Sequence, residues 1–121
     1  MKKGVAVKKE VVMVCGSRNF PNKKMVQDWA NRLTRDIILI HGGCLQSPDI
    51  WAGGIAQRAG IVVGVFPFVE GFGGGGGPIR NQAMVDMADR VVCFWDNYSK
   101  GTGGVVSYAT RLNKKLEVYT P

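Results

Sequence analysis

Val11-Val12-Met13-Val14-Cys15-Gly16-Ser17-Arg18-Asn19 is the stretch on which the fold turns. Its apolar residues follow one another without a polar interruption. A half-buried strand alternates apolar with polar; an unbroken run belongs to a strand covered on both faces, as in parallel sheets. The run ends abruptly at a glycine and polar residues, so the strand delivers a turn carrying a hydroxyl and a guanidinium at its carboxyl end. The same pattern recurs downstream. Ile37-Ile38-Leu39-Ile40 ends at His41-Gly42-Gly43, and Ile61-Val62-Val63-Gly64-Val65-Phe66 leads toward a glycine run. Arg90-Val91-Val92-Cys93-Phe94-Trp95 ends at Asp96-Asn97, and Leu116-Glu117-Val118-Tyr119 closes the series.

Helical patterns fill the intervals. Residues 22–35 place Met25, Val26, Trp29, Ala30 and Leu33 on one face. Ser47-Pro48-Asp49 reads as a helix start, with Ser47 as N-cap and Pro48 at the first helical position. The apolar face of that helix carries Ile50, Trp51, Ile55 and Ala59. A third helix runs from Pro78 to about Ala88 and a fourth to about Asn113. Five strands separated by four helices demand parallel pairing through right-handed crossovers. The expected fold is α/β: a Rossmann-like, doubly wound, five-stranded parallel sheet with helices on both faces. Residues 10–121 form its single domain, and residues 1–9 a basic flexible tail. Ligands of such sheets bind at the carboxyl ends of the strands, where the strand order reverses.

Gly73-Gly74-Gly75-Gly76-Gly77 runs straight into Pro78-Ile79-Arg80-Asn81. A bare loop opening into a helix presents backbone N–H groups and the positive end of the helix dipole, and Arg80 adds a full charge. This equipment suits a phosphate or carboxylate; a glycine run also serves as a plain linker. The common phosphate fingerprints are missing: no GxxxxGK[ST] occurs, and GxGxxG matches only trivially inside the glycines. Neither HExxH nor GxSxG is present. A structural, hydrogen-bonded role suits the lone His41 better than catalysis.

Apolar residues make up 45% of the chain, enough for a real core, and no apolar run approaches the ~20 residues of a membrane span. The N-terminal apolar patch is too short for a secretory signal, which gives a cytoplasmic expectation. The formal net charge of +7 suits an anionic partner, although four of the 16 basic residues crowd into the first nine positions. No arginine-rich block interleaved with aromatics supports nucleic acid as the first choice. Cys15, Cys44 and Cys93 show no CxxC spacing, so neither a disulfide framework nor a zinc site is expected. Cys15 and Cys93 lie at or in apolar runs, as buried thiols do.

The ordered set Gly16-Ser17-Arg18, Gly42-Gly43 with Asp49, Gly77-Pro78-Ile79-Arg80-Asn81 with Met84, Phe94-Trp95-Asp96 and Lys100-Gly101-Thr102 resembles the SLOG superfamily. These are Rossmann-like proteins related to the LOG phosphoribohydrolases and to the DNA-processing protein DprA. Within it the chain looks most like the small YspA/YpsA-related group. The resemblance covers roughly residues 11–118, and its specific parts are Gly-Pro-Ile-Arg-Asn and Trp-Asp-Asn-Tyr-Ser-Lys-Gly-Thr. It implies a pocket for a nucleotide or nucleotide-derived ligand such as a nucleoside monophosphate, ADP-ribose or NAD. It also implies a homodimer or higher oligomer. In the enzymatic LOG branch an arginine at the third helix and a glutamate after a PGGxGT segment cleave an N-glycosidic bond. Arg80 looks like that arginine; the glutamate has no counterpart, since Gly103, Gly104, Val105 and Val106 follow Thr102.

The residues themselves support a ligand site without the family. Ser17 and Thr102 are hydroxyls beside turn glycines, and Arg18 and Arg80 offer planar forks for phosphate. Asp49 or Asp96 suits ribose hydroxyls; Asp49 equally suits a helix-dipole partner. Trp95 reads as core or as a stacking surface. The expected ligand-binding set is Gly16, Ser17, Arg18, Gly42, Gly43, Asp49, Gly76, Gly77, Arg80, Asn81, Asp96, Gly101 and Thr102. Arg80, Asp49 and Asp96 are the candidates for catalysis. No metal and no required cofactor is expected. The alternatives to a binding protein are an N-glycosidase of the phosphoribohydrolase kind and a single-stranded nucleic-acid binder.

Overall fold

The structure, a computed structural model, describes residues 8–67 and 76–121. The strands are β1 (Glu10–Gly16), β2 (Ile37–His41), β3 (Val62–Val65), β4 (Arg90–Phe94) and β5 (Lys115–Tyr119). The helices are α1 (Lys23–Asn31), α2 (Pro48–Arg58), α3 (Gly76–Met87) and α4 (Lys100–Arg111). All neighbouring strands pair in parallel, in the order β3-β2-β1-β4-β5. The chain walks outward from β1 to β3, returns past β1 to β4, and then walks outward the other way. The direction of winding therefore reverses between β1 and β4, and a crevice opens there above the strand ends.

The period-two alternation of β1 sorts the core into two layers. Val12 and Val14 face α1 and α2 with Leu39, Phe94, Val26, Trp29 and Ala56. Met13 and Cys15 face α3 and α4 with Ile40, Cys93, Met84, Val85 and Val105. Helices thus cover both faces, which is why the first strand reads as an unbroken apolar run. Phe94 anchors the first layer, with Phe20 and Trp29 edge-on at 5.8 and 5.7 Å and Tyr119 stacked at 5.2 Å. Cys15 and Cys93 are in register on β1 and β4, buried and reduced, with their sulfurs 3.4 Å apart.

Several local expectations need correction. α1 ends at Asn31 rather than near residue 35. The N–H groups of Arg32 and Leu33 bond back to Trp29 and Ala30 in a tightened last turn, and the chain leaves toward β2. Its N-cap is as expected, Asn22 accepting from Met25 N–H at 3.1 Å. Ser47 occupies the N-cap position of α2 but makes no capping bond; its hydroxyl donates to Cys44 O at 2.6 Å. The buried face of α2 is partly different: Asp49, Ala52, Gly53 and Ala56 point inward, Trp51 and Ile55 pack half-buried against the core as expected, and Ile50 remains 40% exposed. α2 packs too close to the sheet for large side chains. A Cβ on Gly53 would stand 2.4 Å from His41 Nε2. β3 is the outer strand, and Val62 and Val65 are exposed. Residues 1–7 of the basic tail and Gly73, Gly74 and Gly75 of the glycine run lie outside the described residues.

Candidate functional site

Two strand ends build the crevice and hold each other. Ser17 N–H donates to Phe94 O (2.9 Å), and Asp96 N–H donates to Ser17 Oγ (3.0 Å), which stitches the β1 loop to the β4 loop. Ser17 is buried by this role. A Cβ on Gly16 would meet Pro48 Cγ at 2.3 Å and Phe94 O at 2.7 Å, so only glycine lets β1, β4 and the start of α2 converge. Asp96 is half-buried, and its Oδ1 accepts from Tyr98 N–H and Ser99 N–H, both at 2.8 Å. The two backbone donors, Ser99 first, hold its carboxyl below the usual range. Ser99 caps α4, accepting from Thr102 N–H at 3.4 Å, and its own carbonyl accepts from Trp95 Nε1–H at 3.0 Å. Trp95 is half-buried against Gly103 of that first turn. The β4–α4 loop is therefore locked, and the N-terminus of α4 is aimed across the crevice. There the N–H groups of Lys100 and Gly101 carry no hydrogen bond among the described residues.

Arg80 enters from α3 on the other side. It is 8% exposed. Its Nε donates to Asn81 Oδ1 (2.8 Å) and its Nη1 to Gly42 O (2.9 Å), while Nη2 reaches only Cys44 Sγ at 3.6 Å. The guanidinium lies flat on Gly42, where an added Cβ would approach Nη1 to 2.5 Å. Two good bonds and one weak one fix its plane without neutralising it. Among the described residues no carboxylate lies within 4.0 Å of it. A buried charge without a counter-ion is costly, and an anion brought into the crevice offsets that cost.

Asp49 lies in the first turn of α2, 3% exposed, and its Oδ2 accepts from Gly42 N–H at 3.0 Å. Burial raises its pKa to about 6, against the lowering pull of the Gly42 N–H and of the Arg80 charge. His41 is buried below it; its Nδ1 accepts from Gly43 N–H at 2.9 Å, and burial lowers its pKa. The imidazole braces the left-handed turn at Gly43 (φ +71°), the structural role its sequence context favours.

The cleft has a volume of about 260 Å³. Of the sequence-expected residues, Gly16, Arg18, Asp49, Arg80, Asn81, Gly101 and Thr102 line it together. Ser17, Gly42, Gly43 and Asp96 do not line it, Gly77 faces a neighbouring recess, and Gly76 is the first residue of α3. Cys15, Cys44, Ser99 and Val105 also line the cleft and were not foreseen as site residues. Ser99 was findable: it stands three residues before Thr102, the spacing of a helix cap. Val105 follows Gly101 by one helical turn. Cys15 remains a thiol, its pKa raised by the hydrogen bond with Cys93 and by burial. Among the described residues no group of three or more His, Cys, Asp or Glu side chains could hold a metal ion.

Strand order, parallel pairing and a crevice at the reversal define the class: a Rossmann-like α/β domain. Among solved structures the chain is similar to DNA processing protein A (DprA) from Streptococcus pneumoniae, with TM-score 0.76 and 15% identity over 91% of this chain and 50% of that one. It is similar to the molybdenum cofactor carrier protein from Chlamydomonas reinhardtii, with TM-score 0.75 and 21% identity over 94% of this chain and 79% of that one. DprA from Helicobacter pylori, described for its single-stranded DNA binding mode, gives TM-score 0.73 and 19% identity over 90% and 64%. The chain thus spans half of one DprA and 64% of the other. No protein-family model and no curated protein matches it.

Proposed function

We propose that the protein binds a nucleotide or nucleotide-derived ligand, a nucleoside monophosphate, ADP-ribose or an NAD-like molecule, in the cleft at the carboxyl edge of the sheet. One observation carries the reading: Arg80 is buried, oriented and without a carboxylate partner among the described residues, on the wall of a polar cleft. The phosphate lies between Arg80 and the open N–H groups of α4, with Arg18 at the rim and Thr102 beside it. Asp49 accepts from ribose hydroxyls. The motif set favours the YspA/YpsA-related group within the SLOG type. The same reading makes the protein a cytoplasmic homo-oligomer that needs no separate cofactor.

Isothermal titration with AMP, ADP-ribose and NAD tests the proposal. At least one binds, and Arg80→Gln lowers that affinity about ten- to hundredfold while circular dichroism stays native. Folded wild-type protein that binds none of them defeats the reading.

The raised pKa of Asp49 favours a second reading, an N-glycosidase in which this carboxyl handles the proton at the leaving base. Free base released from a nucleoside monophosphate, and lost in Asp49→Asn, supports it. The likeness to the two DprA structures favours single-stranded nucleic acid as a further reading, and a steep salt dependence that survives removal of residues 1–9 supports that one.

A further inference from the structure

Beside the polar cleft, between α3 and α4, lies a second recess of about 230 Å³. The two share Arg80, Asn81, Gly101 and Val105 as walls and are therefore neighbours across one guanidinium. Their characters differ. The first carries Arg18 and Asp49 besides the shared Arg80; the second has Lys100 among its walls, Val85 and Val105 as an apolar floor and the amides of Asn81 and Gln82 at its side. Tyr108 stands at the far end, tied from α4 to Asp86 of α3 by a 2.8 Å hydrogen bond.

At Gly101 and Gly104 the wall contributed by α4 is bare backbone. Gly101, Gly104, Val105 and Tyr108 fall on one helical face. A Cβ built on Gly101 or Gly104 would meet nothing within 4 Å, and neither residue has a positive φ. Elsewhere the protein's own packing explains the glycine: Gly16, Gly42, Gly53 and Gly103 each have a neighbour at 3.0 Å or less. Among the described residues nothing calls for glycine at 104, inside a helix where alanine is more stable.

Resting on the nucleotide reading above, we infer that this recess receives the planar ring of the ligand whose anionic end lies against Arg80. The exposed backbone at Gly101 and Gly104 leaves room for the ring, Val85 and Val105 cover its apolar area, and the Asn81 and Gln82 amides meet its polar edge. A nucleoside phosphate has both parts, ring and anion, at a spacing that two adjoining cavities can serve.

The test compares AMP with ribose 5-phosphate, which keeps the anion and sugar and lacks the ring. Calorimetry on the wild type gives at least a tenfold preference for AMP. In Gly104→Leu, whose side chain fills the recess, the ratio of the two affinities falls below twofold. Gly104→Ala, read by thermal melting without ligand, melts higher than the wild type, since the glycine has no role in the free fold. An AMP preference that is absent in the wild type, or unchanged in Gly104→Leu, overturns the inference while leaving the anion site intact. Failure of both probes on the wild type overturns the anion site and the inference together. A wild-type molar mass that depends on concentration and becomes monomeric in Gly104→Leu assigns the recess to a second copy of the chain and also overturns it.

Discussion

Asp49 shows what a single residue gives up for its position. Its carboxyl ionises near 3.8 when unfolded and near 6 in the folded protein. Between those values the folded state holds the extra proton, so stability falls as pH rises through this window and stays low above it. Asp49→Asn removes the effect. Urea denaturation at pH 7.5 finds the variant roughly 1–3 kcal/mol more stable, and the gap closes near pH 4. The neighbouring hydroxyl of Ser17 works in the opposite sense. It satisfies Asp96 N–H across the strand reversal, and Ser17→Ala costs about 1–3 kcal/mol in the same assay. Neither partner was legible in the sequence. Spacing puts Ser17 and Asp49 near strand ends; it does not reveal that a hydroxyl bonds a backbone amide 79 residues away.

At the scale of elements, the strands were legible and the helix faces only partly so. β1, β2 and β4 are covered on both sides, and their unbroken apolar runs say so. β3 has a similar run while standing at the edge, because its composition does not record its place in the order. The face of α1 was read correctly through Val26, Trp29 and Ala30. That of α2 was read in part: of Ile50, Trp51, Ile55 and Ala59, only Trp51 and Ile55 pack half-buried against the core, whereas close approach to the sheet also turns Ala52, Gly53 and Ala56 inward. Size, rather than apolarity, decides which face turns inward when a helix packs this near. Glycine substitutions in two helices therefore have opposite signs. Gly53→Ala drives a methyl into His41 and lowers the unfolding free energy read by urea denaturation, by about 1–3 kcal/mol. Gly104→Ala enters open space and raises it, by about 0.5–1 kcal/mol. The site itself was legible to the extent that its residues flank strand ends. Cys44 and Val105 reach it only through the geometry of the connections.

Considered whole, the molecule has two ends with different tasks. Toward the amino ends of the strands, Arg90 binds Glu117 (2.9 Å) and Glu10 (3.1 Å) in a partly exposed cluster that ties β1, β4 and β5 together. Toward the carboxyl ends lie the cleft and its buried arginine. Positive charge lies in the cleft, at Arg18 and Arg80, and separately in the N-terminal lysines, and deleting residues 1–9 separates these two contributions. Nucleotide affinity in the cleft is retained by the truncated protein, as titration checks. Binding that depends on the lysines alone disappears. The crossover from β3 to β4 also divides the fold into an earlier half, which supplies Arg18 and Asp49, and a later half, which supplies Arg80, Ser99 and Thr102. Of the sheet's hydrogen-bonded seams, only the one between β1 and β4 joins them. A small molecule lodged above that seam touches both halves and rivets them, so ligation slows amide exchange along β1 and β4 while the outer strand β3 goes on exchanging at its former rate.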